Sequence, residues 1–260
     1  MIGISNLVFR RGSQIILDHI NLEVGSGEIV SVMGPSGCGK TTLLKCLAGL
    51  ERPEEGRIVV DVERDEEPPV DIVALPEDEM TEFRRNIGMV FQYAALFDSM
   101  TVRDNVAFPI HRFRPETTEQ EVLEEVSSLL EMVGLEPTRD LNKKPAQLSG
   151  GMRKRVGLAR ALALRPNIIL YDEPSSGLDP VSAAHIDRLI VEMRDRVGVT
   201  SVVVSHHVQN VLSTSDRIAM LLDGQVLVEG TPAQIRAHSD ERVQQFITGS
   251  AEGPLTDTRA

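Results

Sequence analysis

The stretch GPSGCGKT, residues 34–41, decides the fold, because it satisfies the pattern G-x-x-x-x-G-K-[ST] at every fixed position. An apolar run at residues 29–33 precedes it, and a helix-like run at residues 42–50 follows it. Glycines let consecutive backbone N–H groups turn inward around an anion, and the following helix adds the positive end of its dipole. The sequence therefore predicts a strand, a polyphosphate-binding loop and a helix, rather than a glycine-rich turn that happens to carry a lysine.

The last residues of this loop have the side chains that polyphosphate chemistry requires. The Lys40 ammonium is expected to reach the β- and γ-phosphates, and the Thr41 hydroxyl to ligate a Mg²⁺ ion shared with them. Thr42 is placed for one further phosphate contact. The loop alone does not identify the reaction, because kinases, motors and transport ATPases share it.

Length and composition limit the class of protein. A chain of 260 residues that is 41% hydrophobic can bury one sizeable core with a smaller subdomain attached. No run approaches the roughly 18 apolar residues of a membrane span, and residues 1–11 lack the apolar block of a signal peptide, so we expect a cytosolic chain. Cys38 and Cys46 suggest no disulfide framework, and we expect both to be packing residues.

The net charge of −12 is concentrated in one segment. Residues 54–82 contain twelve Asp or Glu against two Arg. The acids show no metal-ligand spacing, so a solvated rim is favoured over a metal site. The same charge argues against nucleic acid as a partner of that surface.

The first half of the chain is rich in strand patterns. Residues 4–9 and 15–24 are expected to form edge strands on either side of a turn. The nearly continuous apolar character of residues 28–33 suits a parallel strand that is covered on both faces. Another short apolar strand, residues 86–91, ends at Gln92.

Residues 93–147 have a helical pattern instead. Thr118 and Glu121 form a capping box, and apolar residues recur at helical spacing until Gly134 ends the pattern. This region is predicted to be a helical subdomain inserted between strands.

The second half returns to alternating strands and helices. Residues 167–171 form an apolar strand that ends at Asp172 and Glu173, and residues 200–204 form another that ends before His206. Since ligands bind at the carboxyl ends of parallel strands, these side chains and the phosphate loop are expected to converge on one crevice. We find no internal repeat, so a single nucleotide site is expected.

The polar residues at these strand ends suit different tasks. Asp172 is expected to hold the Mg²⁺ shell, while Glu173 orients or deprotonates the attacking water. His206 is placed to donate to the γ-phosphate, with the more outward-facing His207 as the alternative.

A second anion-binding helix start is predicted at LSGGM, residues 148–152, which a basic helix at residues 153–164 follows. Ser149 is a plausible N-cap, and two glycines at a helix start leave backbone N–H groups accessible. An ordinary Ser-Gly-Gly cap is the simpler alternative if this element stood alone.

In this order the motifs resemble the nucleotide-binding subunit of an ABC transporter over nearly the whole chain. The matching elements are Walker A (34–41), the Q-loop (Gln92), the signature motif (148–152), Walker B (168–173), the D-loop (176–179) and the switch histidine (His206).

The resemblance implies an α/β P-loop NTPase fold. The family has a RecA-like, mostly parallel sheet, an N-terminal antiparallel β subdomain and an inserted α-helical subdomain. The implied domains are an ATPase domain (1–248), with its core at 1–92 and 148–248 and the helical subdomain at 93–147, and a tail (249–260).

It also implies an ATP hydrolase that uses ATP and Mg²⁺. The implied catalytic residues are Glu173, His206 and Gln92, and the metal ligands are Thr41, Gln92 and Asp172. The ATP-binding residues are Arg11, Gly34, Pro35, Ser36, Gly37, Cys38, Gly39, Lys40, Thr41 and Thr42. The opposite subunit's ATP is contacted by Ser149, Gly150 and Gly151, and Asp179 belongs to the D-loop.

The family's mechanism implies a head-to-tail homodimer that closes around ATP and drives a membrane permease. Two positions depart from its pattern. Arg11 stands where the family stacks an aromatic ring on adenine, so stacking is expected from its guanidinium plane or from Phe9. Met152 replaces the commoner Gln of the signature motif.

Further segments resemble the Mla/Mce-associated ATPases, which move phospholipids between bacterial membranes. These are residues 91–102, 105–109, 242–246 and 253–254. Leu96, Phe97 and Met100 are then either permease contacts or ordinary subdomain core. The tail beyond Gly249 either binds a neighbouring subunit or a small STAS-domain partner, as in some members, or is disordered.

Three functions fit this resemblance. The first is a lipid-transport ATPase at the cytoplasmic side of the bacterial inner membrane, with an MCE-domain protein among its partners. The second couples the same ATPase to another permease, such as an amino-acid importer. The third is a regulatory or mechanical ATPase, whereas a soluble P-loop kinase is disfavoured because it has no use for residues 148–152.

Overall fold

The computed structural model describes residues 1–61 and 68–257. Part of the acidic segment (62–67) and the end of the tail (258–260) therefore lie outside the described residues. Contacts divide the chain into a first unit, Met1–Met80 with Thr200–Ala260, and a second unit, Thr81–Val199.

The strands are β1 (Ile2–Arg11), β2 (Gln14–Val24), β3 (Ile29–Met33), β4 (Glu55–Val60), β5 (Val70–Asp71), β6 (Ile87–Val90), β7 (Ile168–Asp172), β8 (Thr200–Val204), β9 (Arg217–Leu222) and β10 (Gln225–Gly230). The helices are α1 (Lys40–Leu47), α2 (Glu77–Phe83), α3 (Val102–Phe113), α4 (Glu119–Met132), α5 (Pro137–Asp140), α6 (Gly150–Leu162), α7 (Pro180–Val197), α8 (Val208–Thr214), α9 (Pro232–Arg236), α10 (Glu241–Thr248) and α11 (Pro254–Asp257). Within residues 1–61 and 68–257, no helix is both long and apolar enough to span a bilayer.

An antiparallel sheet in the first unit has the strand order β2-β1-β4-β5. The predicted edge position is therefore right for β2 and wrong for β1, which pairs with β2 on one side and with β4 on the other. The pairing of Ile2 with Val60 joins segments far apart in the chain, which local strand patterns do not reveal. This sheet matches the predicted N-terminal β subdomain.

A second group of strands in the first unit contains the buried centre. Every residue of β3 and β8 is buried, and β3 pairs in parallel with β8 on one side and β9 on the other. Only β10 is antiparallel, pairing with β9. Apolar residues at consecutive positions bury both faces of such strands, so the predicted parallel arrangement is confirmed here.

In the second unit, β6 pairs in parallel with β7, and every residue of β7 is buried. The predicted capping box at the start of α4 is present, since the Thr118 hydroxyl accepts from the Glu121 N–H and the Glu121 carboxylate accepts from the Thr118 N–H. The helices α3, α4 and α5 lie within residues 93–147. The exact limits of the domains stay a prediction.

One carboxyl group of the second unit is buried in helix α7. The Asp187 residue is 9% exposed. Burial raises the pKa of its carboxyl to about 6, although a hydrogen bond from Ser175 acts in the opposite direction. The folded chain therefore binds this proton more tightly than the unfolded chain does.

We expect the Asp187 carboxyl to contribute to the free energy of unfolding. This contribution is fully present below about pH 4 and is lost as the pH rises through about 6. The loss amounts to at most about 3 kcal/mol. Asp187→Asn should remove this part of the pH dependence, which urea unfolding at pH 4, 5, 6 and 7 measures. Asp195→Asn, on the same helix with its side chain 57% exposed, is the matched control and should leave the pH dependence intact. An unchanged pH dependence in Asp187→Asn would contradict the assignment.

Candidate functional site

The loop between β3 and α1 depends on its glycines. Gly34, Gly37 and Gly39 have φ angles of 147°, 84° and 106°, which side-chain-bearing residues rarely adopt. A Cβ atom at Gly34 would lie 2.1 Å from the Leu221 carbonyl oxygen, and one at Gly39 would lie 2.8 Å from that of Ile16. The loop therefore folds against neighbouring backbone more closely than a side chain would permit.

The Lys40 ammonium lies against this loop. Its Nζ donates to the carbonyl oxygens of Gly34 and Pro35, both at 2.8 Å, and the residue is 9% exposed. The cation is thus fixed at the start of helix α1, whose first N–H groups have no partners within the helix. Thr42 is buried there, while Thr41 is exposed.

These features fit a polyphosphate ligand. A glycine cradle, a held ammonium and a helix start together supply N–H donors and positive charge. Cys38 in the same loop is 7% exposed, and burial raises the pKa of its thiol. Cys46, in α1, is buried too, with its thiol pKa raised to about 12, so both cysteines are packing residues as expected.

A groove of about 970 Å³ lies beside the loop within the first unit. It runs between the start of β2, residues 35–38 of the loop, the β9–β10 turn and the C-terminal helices. Its lining includes Ile15, Ile16, Arg242, Gln245 and Phe246. Sequence reasoning singled out residues 242–246 for their resemblance to a subgroup of ATPases, but it did not place them beside the loop with Ile15 and Ile16, because these segments are distant in the chain.

The two residues considered for adenine stacking differ in accessibility. Phe9 is only 6% exposed, whereas Arg11 is exposed and pairs with Glu51 at 3.6 Å. Accessibility therefore favours Arg11 over Phe9, and a contact with adenine stays a prediction.

Two strand ends of the first unit lie side by side. The β3–β8 register places Val32 beside Val204, and the Ser205 N–H donates to the Val32 carbonyl at 3.3 Å. The segment that carries His206 therefore begins next to the segment that leads into the phosphate loop. The His206 and His207 rings are both exposed and are 4.3 Å apart between centroids, so outward exposure does not distinguish them.

Two strand ends of the second unit are also adjacent. The β6–β7 register places Val90 beside Tyr171, so Gln92 and the Asp172-Glu173 pair follow neighbouring strands. Asp172 is 9% exposed, and Glu173 has a positive φ of 49°. The meeting of these residues with the phosphate loop and His206 stays a prediction.

The predicted signature helix begins as expected. Ser149 is exposed and caps α6, its hydroxyl accepting from the Met152 N–H at 3.2 Å. A Cβ atom at Gly150 would lie 3.2 Å from a methyl carbon of Leu178, in the predicted D-loop. The signature and D-loop segments are therefore neighbours within the second unit.

The predicted D-loop ends in a helix cap. Asp179 caps α7 by accepting from the Val181 and Ser182 N–H groups at 3.0 Å each. A hydrogen bond from Ser182 is the main reason that the pKa of Asp179 is lowered.

Three exposed aromatic side chains follow Gln92 in the sequence, and we call them the aromatic patch. They are Tyr93, Phe97 and Phe108, which are 85%, 41% and 42% exposed. The Phe97 and Phe108 rings lie 4.9 Å apart, and buried Asn105 accepts from the Phe97 N–H at 2.8 Å. Phe97 is therefore not ordinary subdomain core, whereas Leu96 and Met100 are half-buried.

The metal prediction rests on residues of both units. Thr41 belongs to the first unit, and Gln92 and Asp172 to the second. Their hydroxyl, amide and carboxylate oxygens are the ligand type that Mg²⁺ prefers. Among the residues that the structure describes, no cluster of three or more His, Cys, Asp or Glu could hold a metal ion.

Comparison with known proteins places these motifs in context. A family model described as ABC transporter matches residues 17–176. The chain is 43% identical over 257 residues, 98% of its length and 93% of the relative's, to the intermembrane phospholipid transport system ATP-binding protein MlaF of Haemophilus influenzae. It is 40% identical over 255 residues, 98% of its length and 70% of the relative's, to the probable ribonucleotide transport ATP-binding protein mkl of Mycobacterium leprae.

Solved structures agree in fold. The dimeric structure of a post-hydrolysis state of the ATP-binding cassette MJ0796, bound to ADP and Pi, matches with a TM-score of 0.79 and 36% identity. The match covers 89% of this chain and 99% of that one. The predicted ATPase-cassette fold is thereby confirmed.

We expect Lys40→Ala to weaken ATP binding by about 10–100-fold, because a charge-assisted hydrogen bond contributes about 1.5–3 kcal/mol. Isothermal titration of the full chain with ATP measures the change. Lys45→Ala, one turn further along α1, is the matched control and should bind ATP as the unmutated chain does. Unchanged affinity in Lys40→Ala would contradict a role for this ammonium in phosphate binding.

Proposed function

This chain belongs to the ABC transporter family, and on that premise we propose that it is the ATP-binding and hydrolysing subunit of a transporter that moves phospholipid through a partner permease. Its similarity, over nearly the whole chain, to a phospholipid transport ATP-binding protein carries this proposal. The glycine-built loop with its held Lys40 ammonium supports the nucleotide-binding part.

The residues are assigned to roles as follows. The loop N–H groups and Lys40 bind the β- and γ-phosphates of ATP. Glu173 takes a proton from the attacking water, Gln92 orients that water, and His206 donates to the γ-phosphate. Thr41, Gln92 and Asp172 are the proposed ligands of Mg²⁺, whose chemistry is to neutralise phosphate charge.

A homodimer completes the proposed reaction. Exposed Ser149 and half-buried Gly150 and Gly151 form a helix start, which is suited to a phosphate that the other subunit holds. The dimeric state of the MJ0796 cassette supports this arrangement. Binding of ATP would close the dimer, and loss of the γ-phosphate would let it open.

The permease is proposed to dock on the aromatic patch of Tyr93, Phe97 and Phe108. Exposed aromatic side chains are enriched at protein interfaces, and this patch directly follows Gln92. Leu96 and Met100 are neighbouring contacts. The permease would hold the subunit at the cytoplasmic side of the bacterial inner membrane, where ATP is available, and an MCE-domain protein and a STAS-domain protein are further proposed partners.

Three other functions compete with this proposal. The name of the mycobacterial relative favours a transported ribonucleotide, and an amino-acid importer or a regulatory ATPase would use the same motor. Purification from native membranes in mild detergent, with identification of bound proteins and lipids, separates these functions. An MCE-domain protein with bound phospholipid supports lipid transport, a solute-binding protein supports an importer, and a cell-wall or division factor supports a regulatory ATPase.

Glu173→Gln should preserve Mg-ATP binding but lower kcat by about 10²–10⁴-fold, because general-base catalysis contributes about that factor. Phosphate release and ATP titration measure the two properties. The variant should also accumulate as a closed dimer with ATP, which light scattering detects. Hydrolysis near the unmutated rate would rule out the assigned role.

Ser149→Ala should lower kcat by about tenfold through the loss of one phosphate contact, while ATP binding to the monomer stays within about twofold. Titration at concentrations below dimerisation isolates the monomer. Because the change also removes the cap of α6, Ser149→Asp is a companion variant that retains a capping side chain but repels phosphate. Loss of ATP binding to the monomer in both variants would contradict the assignment across subunits.

A further inference from the structure

A lysine in the middle of the second unit connects two backbone segments that the reaction uses. Lys154 lies in the second turn of α6 and is 6% exposed. Its ammonium donates to the backbone carbonyl of Gln92 and, at 3.1 Å, to that of Glu173. The two acceptors are 62 and 19 residues away along the chain, so this contact joins separate strand ends.

The backbone at Glu173 needs such support. Its φ of 49° is left-handed, a conformation that costs a side-chain-bearing residue of order 1 kcal/mol or more and that surrounding contacts must maintain. The same carbonyl oxygen accepts from the Ser176 N–H at 3.2 Å. Lys154 therefore helps to fix the conformation from which the Glu173 side chain projects.

The segment after Gln92 is held by the same helix. Ala94 and Ala95 also have left-handed φ angles, 60° and 46°, and their carbonyls accept from the Arg160 guanidinium at 2.7 and 2.8 Å. Gly157 lies between the two cations in sequence, and a Cβ atom there would come within 3.3 Å of the Ala94 Cβ. Helix α6 thus fixes both ends of the bend that follows Gln92.

Burial and nearby charges act on the Lys154 ammonium in opposite directions. Burial lowers the pKa of Lys154 to about 8, while the charges of Glu173 and Asp172 act in the opposite direction. A buried ammonium without acceptors would be costly, and the carbonyls of Gln92 and Glu173 supply acceptors here.

We propose that Lys154 is a positioning residue for ATP hydrolysis, which fixes Glu173 relative to Gln92 by donating to both of their carbonyls at once. This inference rests on the proposed function, because it assigns a task to those two residues. Displacement of the segment at Gln92 would then be transmitted through Lys154 to the backbone of Glu173. A lysine that served only the folding of α6 would have no such effect on turnover.

The test is Lys154→Met, which keeps the volume of the stem and removes both donations. In the full-length chain purified with its membrane partner, kcat should fall about 10–100-fold, as small misplacements of catalytic groups do. The KM for ATP should stay within about twofold of the unmutated value, because the proposed role of Lys154 is in turnover and not in phosphate binding. Lys154→Arg, which retains a cation with several donors, should recover part of kcat.

Hydrogen exchange gives a second readout that does not depend on turnover. In Lys154→Met, the backbone amides of residues 92–96 and 173–176 should exchange faster together. The matched control is Arg155→Met, because Arg155 also donates from α6 to a backbone carbonyl, that of Gly134 at 2.6 Å. This control should keep kcat and leave both segments protected.

The outcomes distinguish a failure of the proposed function from a failure of the positioning role of Lys154. If the unmutated complex does not hydrolyse ATP, the proposed function fails. If it does hydrolyse ATP, while Lys154→Met keeps kcat or loses it only together with a large rise in KM, the positioning role is wrong. If Lys154→Met does not fold, Lys154→Gln, a neutral donor too short to reach both carbonyls, replaces it, and a kcat equal to that of the unmutated complex would overturn the inference.

Discussion

The candidate site depends on one constraint, which is the close approach between the backbone of residues 34–39 and the backbone of strands β2 and β9. Gly34 lies against the Leu221 carbonyl and Gly39 against that of Ile16, at separations that leave no space for a Cβ atom. The start of helix α1 and the Lys40 ammonium are placed by this packing. The proposed phosphate site therefore depends on tertiary structure as well as on a short motif, because strands β2 and β9 form the walls against which the loop folds.

Helix α6 plays a comparable part in the second unit. Its first turn presents the Ser149 cap, and its later turns hold the carbonyls of Gln92, Ala94, Ala95 and Glu173. One element therefore connects a site proposed for the partner's ATP with two segments proposed to act on hydrolysis. Left-handed residues occur on both of those segments, which is the expected place for strain that the surrounding packing maintains.

Features that depend on neighbours in sequence were predictable. The apolar runs of β3, β7 and β8 predicted buried parallel strands, and the caps at Thr118 and Ser149 followed from local hydrogen-bonding chemistry. Contacts between distant segments were not predictable. The interior position of β1 requires pairing with β4, and the acceptors of Lys154 lie 62 and 19 residues away. The groove beside the loop is likewise assembled from parts of the chain that show no shared pattern.

The two thiols of the first unit differ in what surrounds them. Cys38 lies inside the loop, 3.8 Å from the Lys40 ammonium, whereas Cys46 lies in the following helix with only 1% of its surface exposed. A protonated, buried thiol alkylates slowly, because the thiolate is the nucleophile. Any ligand or partner that loosens the loop would speed the labelling of Cys38 and leave Cys46 as an inert internal reference. The two thiols therefore allow the burial of the loop and of helix α1 to be compared by mass spectrometry without an introduced probe.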